Sequence, residues 1–493
     1  MNKSAASLAL AFAATLLGGC ILPPKDEPQQ QAVQAGNLGL GQSAPPPAPA
    51  GWWHAYNDPQ LDRLVDETLR DSPTLAQALA RVREAQAMAD VAHAGQLPDV
   101  SYDAQAQRQR FSSTFIYPPP YAGNVYWQAQ QGFNLNWDID FWGKQSSLVK
   151  QARSQTQATQ LDVASARLAL AGAVAQAYIN LHRNYALADV AQRTYEQRQR
   201  ILDITRSRVH AGLDTNVDLR EAESAVPQAE VALKQAQAAQ ALAVHQLAAL
   251  SGHGAEAYAG IVRPTVDLDT ALPLPQELPA DLLGRRPDIL AARLRVEAAT
   301  AGRAAAKAEF YPDVSINAFA GSNSIGLVDL FKATSGIYGA GPAIHLPVFD
   351  AGRLKANYRG ATAGIDEAVA SYNDTVLQAI RQSADQLSDL AALGVELEAQ
   401  KRSLDSAESA YKLAEERYKA GLSSYLTVLT AETQVLDARR QRVELVSAQA
   451  IARVTLLLSV GGSFDPQAPL PLDGAAPATQ TAASNPASNP SSN

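Results

Sequence analysis

Between Val125 and Phe141 the chain alternates with a period of two. Val125, Trp127, Ala129, Gln131, Phe133, Leu135, Trp137, Ile139 and Phe141 fall on one side, and Tyr126, Gln128, Gln130, Gly132, Asn134, Asn136, Asp138 and Asp140 on the other. Successive side chains of a strand point to opposite faces, so the stretch predicts a strand with one apolar face and one polar or acidic face. At about 3.3 Å per residue it is long enough to cross a bilayer, and Trp127 and Trp137 suit the two interfaces, as a membrane girdle does. A soluble sandwich hairpin is the competing reading. Upstream, Val100, Tyr102, Ala104 and Ala106 alternate with Ser101, Asp103, Gln105 and Gln107, and a loop holding Pro118, Pro119 and Pro120 joins the two segments. A weaker pair follows later, with Val314, Ile316, Ala318 and Ala320, a Gly/Ser/Asn loop, then Tyr338, Ala340, Ile344, Leu346 and Val348. Strand pairs are therefore expected over about 99–141 and 313–350.

Elsewhere the period changes to that of a helix. Leu161, Ala164, Leu168, Ala171, Val174, Tyr178, Leu181 and Tyr185 recur at steps of three and four inside a pattern running from about 144 to 210. Uninterrupted, those residues make a helix of roughly 100 Å at about 1.5 Å per residue. A shorter return helix is expected over about 214–250, with a kink at Pro227. The matching segments in the second half are about 353–419 and 423–460. Helices over 73–94 and 287–307 begin at Pro73 and Pro287, where the first helical turn suits proline.

The two long helices end on nearly the same phrase. Arg208-Val209-His210-Ala211-Gly212-Leu213 is followed by Ala222-Glu223, and Arg417-Tyr418-Lys419-Ala420-Gly421-Leu422 by Ala431-Glu432. Glycine at each turn can take the left-handed conformation that ends a helix. The two glycines lie 209 positions apart, as do Gly143 from Gly352 and Gly252 from Gly461, which marks an internal duplication. Leu97-Pro98-Asp99-Val100-Ser101 and Tyr311-Pro312-Asp313-Val314-Ser315 lie 214 apart, so five extra residues fall between Ser101 and Gly143. Two repeats of two strands give four strands per chain. A four-stranded sheet facing lipid has open edges that hydrocarbon does not tolerate, so the barrel must close between chains. Eight strands from two chains would fill with side chains, whereas twelve from three leave a lumen. The expected organisation is a signal peptide over 1–19, a lipidated start and linker over 20–50 and a first repeat over 51–252. A connector over 253–286 leads to a second repeat over 287–462, and the end and tail occupy 463–493.

Composition adjusts this picture in three places. A hydrophobic content of 46% with only 6% aromatic residues fits Ala-rich helices packed closely. A net charge of −8 argues against a nucleic-acid partner. At the N-terminus, Lys3, an apolar run from Ala5 to Leu17 and Leu17-Gly18-Gly19-Cys20 resemble a bacterial lipoprotein signal, with Cys20 as the lipidation site. Cys20 is the only cysteine, so no disulfide can form within the chain. Ile21 after it fits sorting to the outer membrane, a rule carried over from bacterial lipoproteins. Residues 21–50 suggest an extended tether, Trp52 and Trp53 a docking point, and the stretch from Ala475 disorder. Seven histidines show no metal-ligating spacing, and no nucleophile, phosphate or dinucleotide motif appears, so no metal, cofactor or catalytic residue is expected and the chain is not expected to be an enzyme.

Supporting phrases come in order: Asp140-Phe141-Trp142-Gly143-Lys144, Leu283-Gly284-Arg285-Arg286-Pro287-Asp288-Ile289, Phe310-Tyr311-Pro312 and Pro347-Val348-Phe349-Asp350-Ala351-Gly352-Arg353. Duplicated, and behind a lipobox, they resemble the TolC/OprM-like outer membrane efflux proteins, lipoprotein branch, from about Trp52 to Gly462. The resemblance implies a mainly α fold with a membrane β-barrel, internally duplicated, in which long helical hairpins form a periplasmic tunnel. It implies a homotrimer with a twelve-stranded barrel. It also implies partners: a periplasmic adaptor protein, an inner-membrane transporter and outer membrane lipid, in a tripartite pump for small toxic compounds. By the same resemblance Asp218 and Tyr418 match an interhelical lock, and Leu426 and Thr430 match constricting positions of a periplasmic gate. Thr427 and Thr430 stand where relatives carry acids, which leaves Asp214, Asp218 and Glu221 as the tip's acidic residues. Asp214 has a second reading, as the cap of the return helix. Ala211, Gly212, Leu213, Ala420, Gly421 and Leu422 are the expected adaptor contact. A protein-secretion duct of the same architecture, a periplasmic coiled-coil adaptor lipoprotein and a poreless structural lipoprotein remain as alternatives.

Overall fold

Asp58 opens the first α-helix by accepting the N–H groups of Gln60 and Leu61, and Pro59 occupies the turn where its missing N–H costs nothing. The computed structural model describes residues 23–34, 36, 38–41, 48–270, 272–279 and 281–468. The signal peptide, Cys20 and the tail from Ala475 lie outside the described residues. The order is α1 (Pro59–Asp71), α2 (Pro73–Ala94), β1 (Asp99–Arg110), β2 (Val125–Ile139), α3 (Lys144–His210), α4 (Asn216–Leu250), α5 (Leu282–Arg285), α6 (Pro287–Ala308), β3 (Asp313–Ile325), β4 (Gly336–His345), α7 (Arg353–Lys419) and α8 (Tyr425–Ser459). Among the described residues no helix is long and apolar enough to cross a membrane. The chain divides into two units. One holds the chain up to Ala32 with Arg81–Thr159 and Ala292–Asn373; the other holds Val33–Ala80, Gln160–Ala291 and the chain from Asp374.

In the first unit the four strands form one antiparallel sheet in sequence order. Phe133 of β2 lies between Tyr102 of β1 and Ala320 of β3, and Ala320 in turn faces Tyr338 of β4. That register puts the odd positions of β2 on one face with the even positions of the other strands. Val100, Tyr102, Leu135, Phe133, Ile316, Ala318, Ala340 and Ile344 thus make an apolar surface, left exposed in the single chain at Val100, Tyr102, Phe133 and Ile344. The opposite face carries Gln105, Gln107, Gln109, Gln128 and Gln130, whose side-chain amides bond to one another, and Asn134, which donates to Asp103 at 2.8 Å. Gln131, a polar residue on the apolar face, accepts the hydroxyl of Tyr102 at 2.9 Å. Gly132 and Gly321 face each other across β2 and β3, and a Cβ on Gly321 would come within 2.1 Å of the Gln131 carbonyl. β2 stops at Ile139 and β4 at His345, short of the expected ends. Asp140, directly after β2, turns the chain into α3 by accepting N–H groups at its start, and Asp350 does the same for α7.

Over residues 26–31 the linker is held rather than free. The Asp26 carboxylate, the Asp26 and Gln31 carbonyls and the Gln29 and Gln30 amides all bond to α6 or α7 within this unit.

The second unit has its core where α1 packs on the long and return helices. Trp52 and Trp53 are 1% and 4% exposed, edge to face at 5.8 Å, in one cluster with Leu61, Val65, Tyr178, Leu181, Leu247, Val454 and Leu457. Ala175 and Ala248 are fully buried there, which is the use of the alanine-rich composition. Asp58 is the polar knot of this core, accepting Tyr178 Oη at 2.8 Å and the Thr265 amide at 2.9 Å. Burial opposes its charge, and the bonds from Tyr178, Thr265 and Gln60 outweigh burial and lower its pKa. α4 continues through Pro227.

Candidate gate at the helical tips

Both long helices end in the same backbone device. Gly212 and Gly421 adopt φ of 71° and 79°. The Leu213 amide donates to the Arg208 carbonyl at 2.9 Å, and the Leu422 amide to the Arg417 carbonyl at 2.8 Å, closing a six-to-one bond in each copy. Gly212 and Gly421 amides add the inner bonds to Val209 and Tyr418, both at 2.9 Å. The turns thus leave Ala211, Gly212, Leu213, Ala420, Gly421 and Leu422 exposed.

The side chains differ where the backbones agree. Arg208, in the last turn of α3, donates Nε to Asp214 Oδ2 at 2.8 Å and Nη2 to Asp214 Oδ1 at 3.0 Å, a bidentate fork. Its Nη1 crosses to the other repeat, donating to the Tyr418 carbonyl at 2.9 Å, and its guanidinium lies 4.6 Å from the Tyr418 ring centre. Tyr418 Oη closes the loop by donating to Asp214 Oδ2 at 2.6 Å, with the Thr205 hydroxyl 2.9 Å away. Tyr418 is fully buried, and the Arg208 and Asp214 side chains are 11% and 8% exposed. The Arg208 fork, against opposing burial and with help from Tyr418, holds the Asp214 carboxyl below its usual range. Burial, then the bond to Asp214, pushes the Tyr418 phenol up to about 12. Around the triad pack Ile201, Leu202, Ala222, Tyr425 and Val428.

A second polar contact joins the repeats further along α3. Glu432 of α8 is buried, accepts Gln197 Nε2 at 3.3 Å and lies 3.5 Å from Arg198 Nε, while Arg198 Nη1 donates to the Ala225 carbonyl at 3.1 Å. Burial raises the Glu432 pKa and the Arg198 charge offsets only part of that rise.

The expected pairing of Asp218 with Tyr418 is corrected by this geometry, because Asp214 makes that contact. Asp218 is instead the third residue of a capping box: it accepts the Thr215 amide at 2.9 Å and the Thr215 hydroxyl at 2.6 Å, and Thr215 accepts the Asp218 amide. Thr215, not Asp214, is the helix cap. The left-handed Gly212 reverses the chain so that Asp214 faces back onto Arg208, and the box draws Asp218 onto its own helix. Leu426 and Thr430 are exposed, Thr430 Oγ1 donating to the Leu426 carbonyl at 2.8 Å; the Thr427 and Ser424 hydroxyls are 3.3 Å apart. Glu221 is exposed on α4. Arg208, Thr205, Arg198 and Glu432 are absent from the sequence-based set. An Arg in the last turn of a helix is an ordinary dipole partner, and Arg417 at the equivalent place is exposed, so type and position gave no signal.

With this geometry in hand, the chain matches the outer membrane efflux protein family over residues 64–253 and 278–462, once per repeat. It is 37% identical to the fusaric acid resistance protein FusA of Burkholderia cepacia over 74% of this chain and 70% of that protein. It is 32% identical to the multidrug resistance outer membrane protein MdtP of Escherichia coli K12 over 91% of this chain and 94% of that one. Among solved structures, the outer membrane protein VceC of Vibrio cholerae superposes with a TM-score of 0.80 at 34% identity, covering 85% of this chain and 100% of that one. The chain therefore belongs to the outer membrane efflux protein family and is an efflux channel of the outer membrane.

Proposed function

We propose that three copies of this chain form the exit duct of a tripartite pump, which passes small toxic compounds from an inner-membrane transporter and a periplasmic adaptor to the outside. The observation that carries the reading is the sheet: one face is apolar and exposed, the other is lined with carboxamides, and β1 and β4 each pair on one side only. Closing three such sheets into twelve strands removes every edge and leaves a polar lumen. Trp127 and Trp137 form the membrane girdle, and an acyl group on Cys20 anchors the chain. The relatives are named for resistance to fusaric acid and to multiple drugs, which supports small organic compounds as cargo.

The gate in this reading is the Arg208–Asp214–Tyr418 brace, with Leu426 and Thr430 narrowing the bore and Asp218 stiffening the first tip. Exposed Ala211, Gly212, Leu213, Ala420, Gly421 and Leu422 receive the adaptor, since small residues let helices approach closely. In planar bilayers the purified trimer is expected to show a small resting conductance that Asp214→Ala raises several-fold and Asp218→Ala raises less. Equal effects of the two would place the gate elsewhere, and a protein that never conducts would sink the duct.

A further inference from the structure

The strands sort their charges by face. Asp99, Asp103, Asp138 and Asp313 lie on the face with the carboxamides, whereas Arg108 and Arg110, the only Lys or Arg of the four strands, lie on the apolar face. Side chains on both sides of β1 fix this assignment. Gln105, Gln107 and Gln109 bond to one another in turn and Gln109 to Gln128 on one face, while Tyr102 packs on Phe133 at 5.1 Å on the other. Arg108 stands opposite Trp127 in the register, and Arg110 opposite Val125. Arg108 makes no hydrogen bond or ion pair among the described residues, and Arg110 donates Nε alone, to the Gly123 carbonyl at 3.1 Å. Asp329, in the loop after β3, is already paired with Lys332.

Depth follows from strand geometry. Trp127 and Trp137, the girdle residues of β2, are ten residue steps apart, about 34 Å along the strand and about 26 Å across the membrane at a tilt near 40°. That matches the apolar band of a membrane barrel, about 25 Å tall. Arg108 therefore sits at the outer interface, and Arg110 about 5 Å beyond it on the side of the β1–β2 loop. Their Cα atoms are about 7 Å apart on one strand face, close enough for both guanidinium forks to close on a single phosphate. A lipid headgroup brings such a phosphate to this depth, and its oxygens match the fork.

We propose that Arg108 and Arg110 bind the phosphate of an outer-leaflet lipid headgroup, with Trp127 beside them at the acyl boundary. This rests on the reading of the apolar face as lipid-facing and of the loop end as outermost. β1 is an edge of the sheet in the single chain, so each of the three sites of the trimer lies at a seam between copies, where the bound lipid covers the junction. Guanidinium groups that only extended into water would show no preference for a phosphorylated lipid.

Native mass spectrometry of the full trimer in neutral detergent tests the site by comparing lipid A carrying two phosphates with the same lipid after phosphate removal. The phosphorylated form is expected to be held about tenfold more tightly. Arg108→Gln combined with Arg110→Gln is expected to erase that preference while heat-modifiable trimers still form. Equal retention of the two lipids by the wild-type trimer overturns the site, as does a preference that survives the double variant. Displacement of the lipid by millimolar inorganic phosphate would reveal a plain anion site and overturns the lipid assignment. A nitroxide on Ala106→Cys in vesicles reports orientation separately, and oxygen dissolved in the bilayer is expected to relax it more than aqueous nickel does. The reverse overturns the lipid-facing sheet and the site with it, whereas a lipid-facing Ala106 with no phosphate preference overturns the site alone.

Discussion

Tyr418 concentrates the asymmetry of the two tips in one side chain. Its counterpart 209 positions earlier is Val209, so only one repeat can offer a phenol to the other. Tyr418→Phe keeps the buried ring and its place under Arg208 but removes the donor to Asp214. A bond to a charged acceptor contributes about 1.5–3 kcal/mol, so the variant is expected to raise resting conductance, less than Asp214→Ala does. The pH dependence has a definite sign. Asp214 has its pKa lowered on folding, so its contribution is complete above the ordinary carboxyl range and is lost as pH falls through the depressed value. Tyr418 has a raised pKa, so its contribution is complete below the ordinary value of 10.0 and lost as pH rises through about 12. Resting conductance across the intervening range is expected to stay flat; a rise near neutral pH would show that another group titrates in the gate.

The duplicated helices show how one phrase acquires two environments. Glu223 and Glu432 occupy equivalent places after their turns. Glu223 is partly exposed and pairs with Arg220 at 2.8 Å, whereas Glu432 is buried between α3 and α8 beside Arg198. Removing one member of a buried pair leaves a charge without compensation, at about 3–5 kcal/mol. Arg198→Ala is therefore expected to lower the unfolding temperature of the trimer at neutral pH. Loss of Arg198 also removes the charge that restrains the rise of the Glu432 pKa, so the defect should shrink as pH falls and Glu432 becomes neutral. A defect independent of pH would mean that the Arg198 stem, rather than its charge, holds the helices.

Across the assembled channel the decisive requirement is closure of the sheet. β2 and β3 come from different repeats, and their pairing is what joins the duplicated halves into one sheet. Within it a Cβ on Gly321 would also lie 2.6 Å from the Gly132 Cα. No side chain can flex to relieve contacts that involve only backbone. Gly321→Ala is expected to block formation of heat-modifiable trimers in outer-membrane fractions while leaving the helices folded by circular dichroism. Normal trimers would show that the strands can separate locally without loss of the barrel.

How much of this was legible follows from the range of the interactions concerned. The period-two run around Phe133, the long apolar helical stripe and the three glycine pairs 209 apart depend on residues near one another in the chain, and these signals specified strands, helices, turns and duplication. The buried Trp52 and Trp53 were likewise legible, because two adjacent indoles need a core. The partner of Tyr418 was not. Asp214 and Asp218 are both acids one turn apart, and the choice between them depends on how Gly212 aims the chain and on Arg208 arriving from the preceding helix. Nor could the chain's pattern distinguish a free linker from a held one, since Asp366 lies 336 positions from Gln30. Local periodicity and turn chemistry belong to the sequence itself; charge pairing across hundreds of residues exists only once packing has brought the groups within hydrogen-bond reach and excluded water from them.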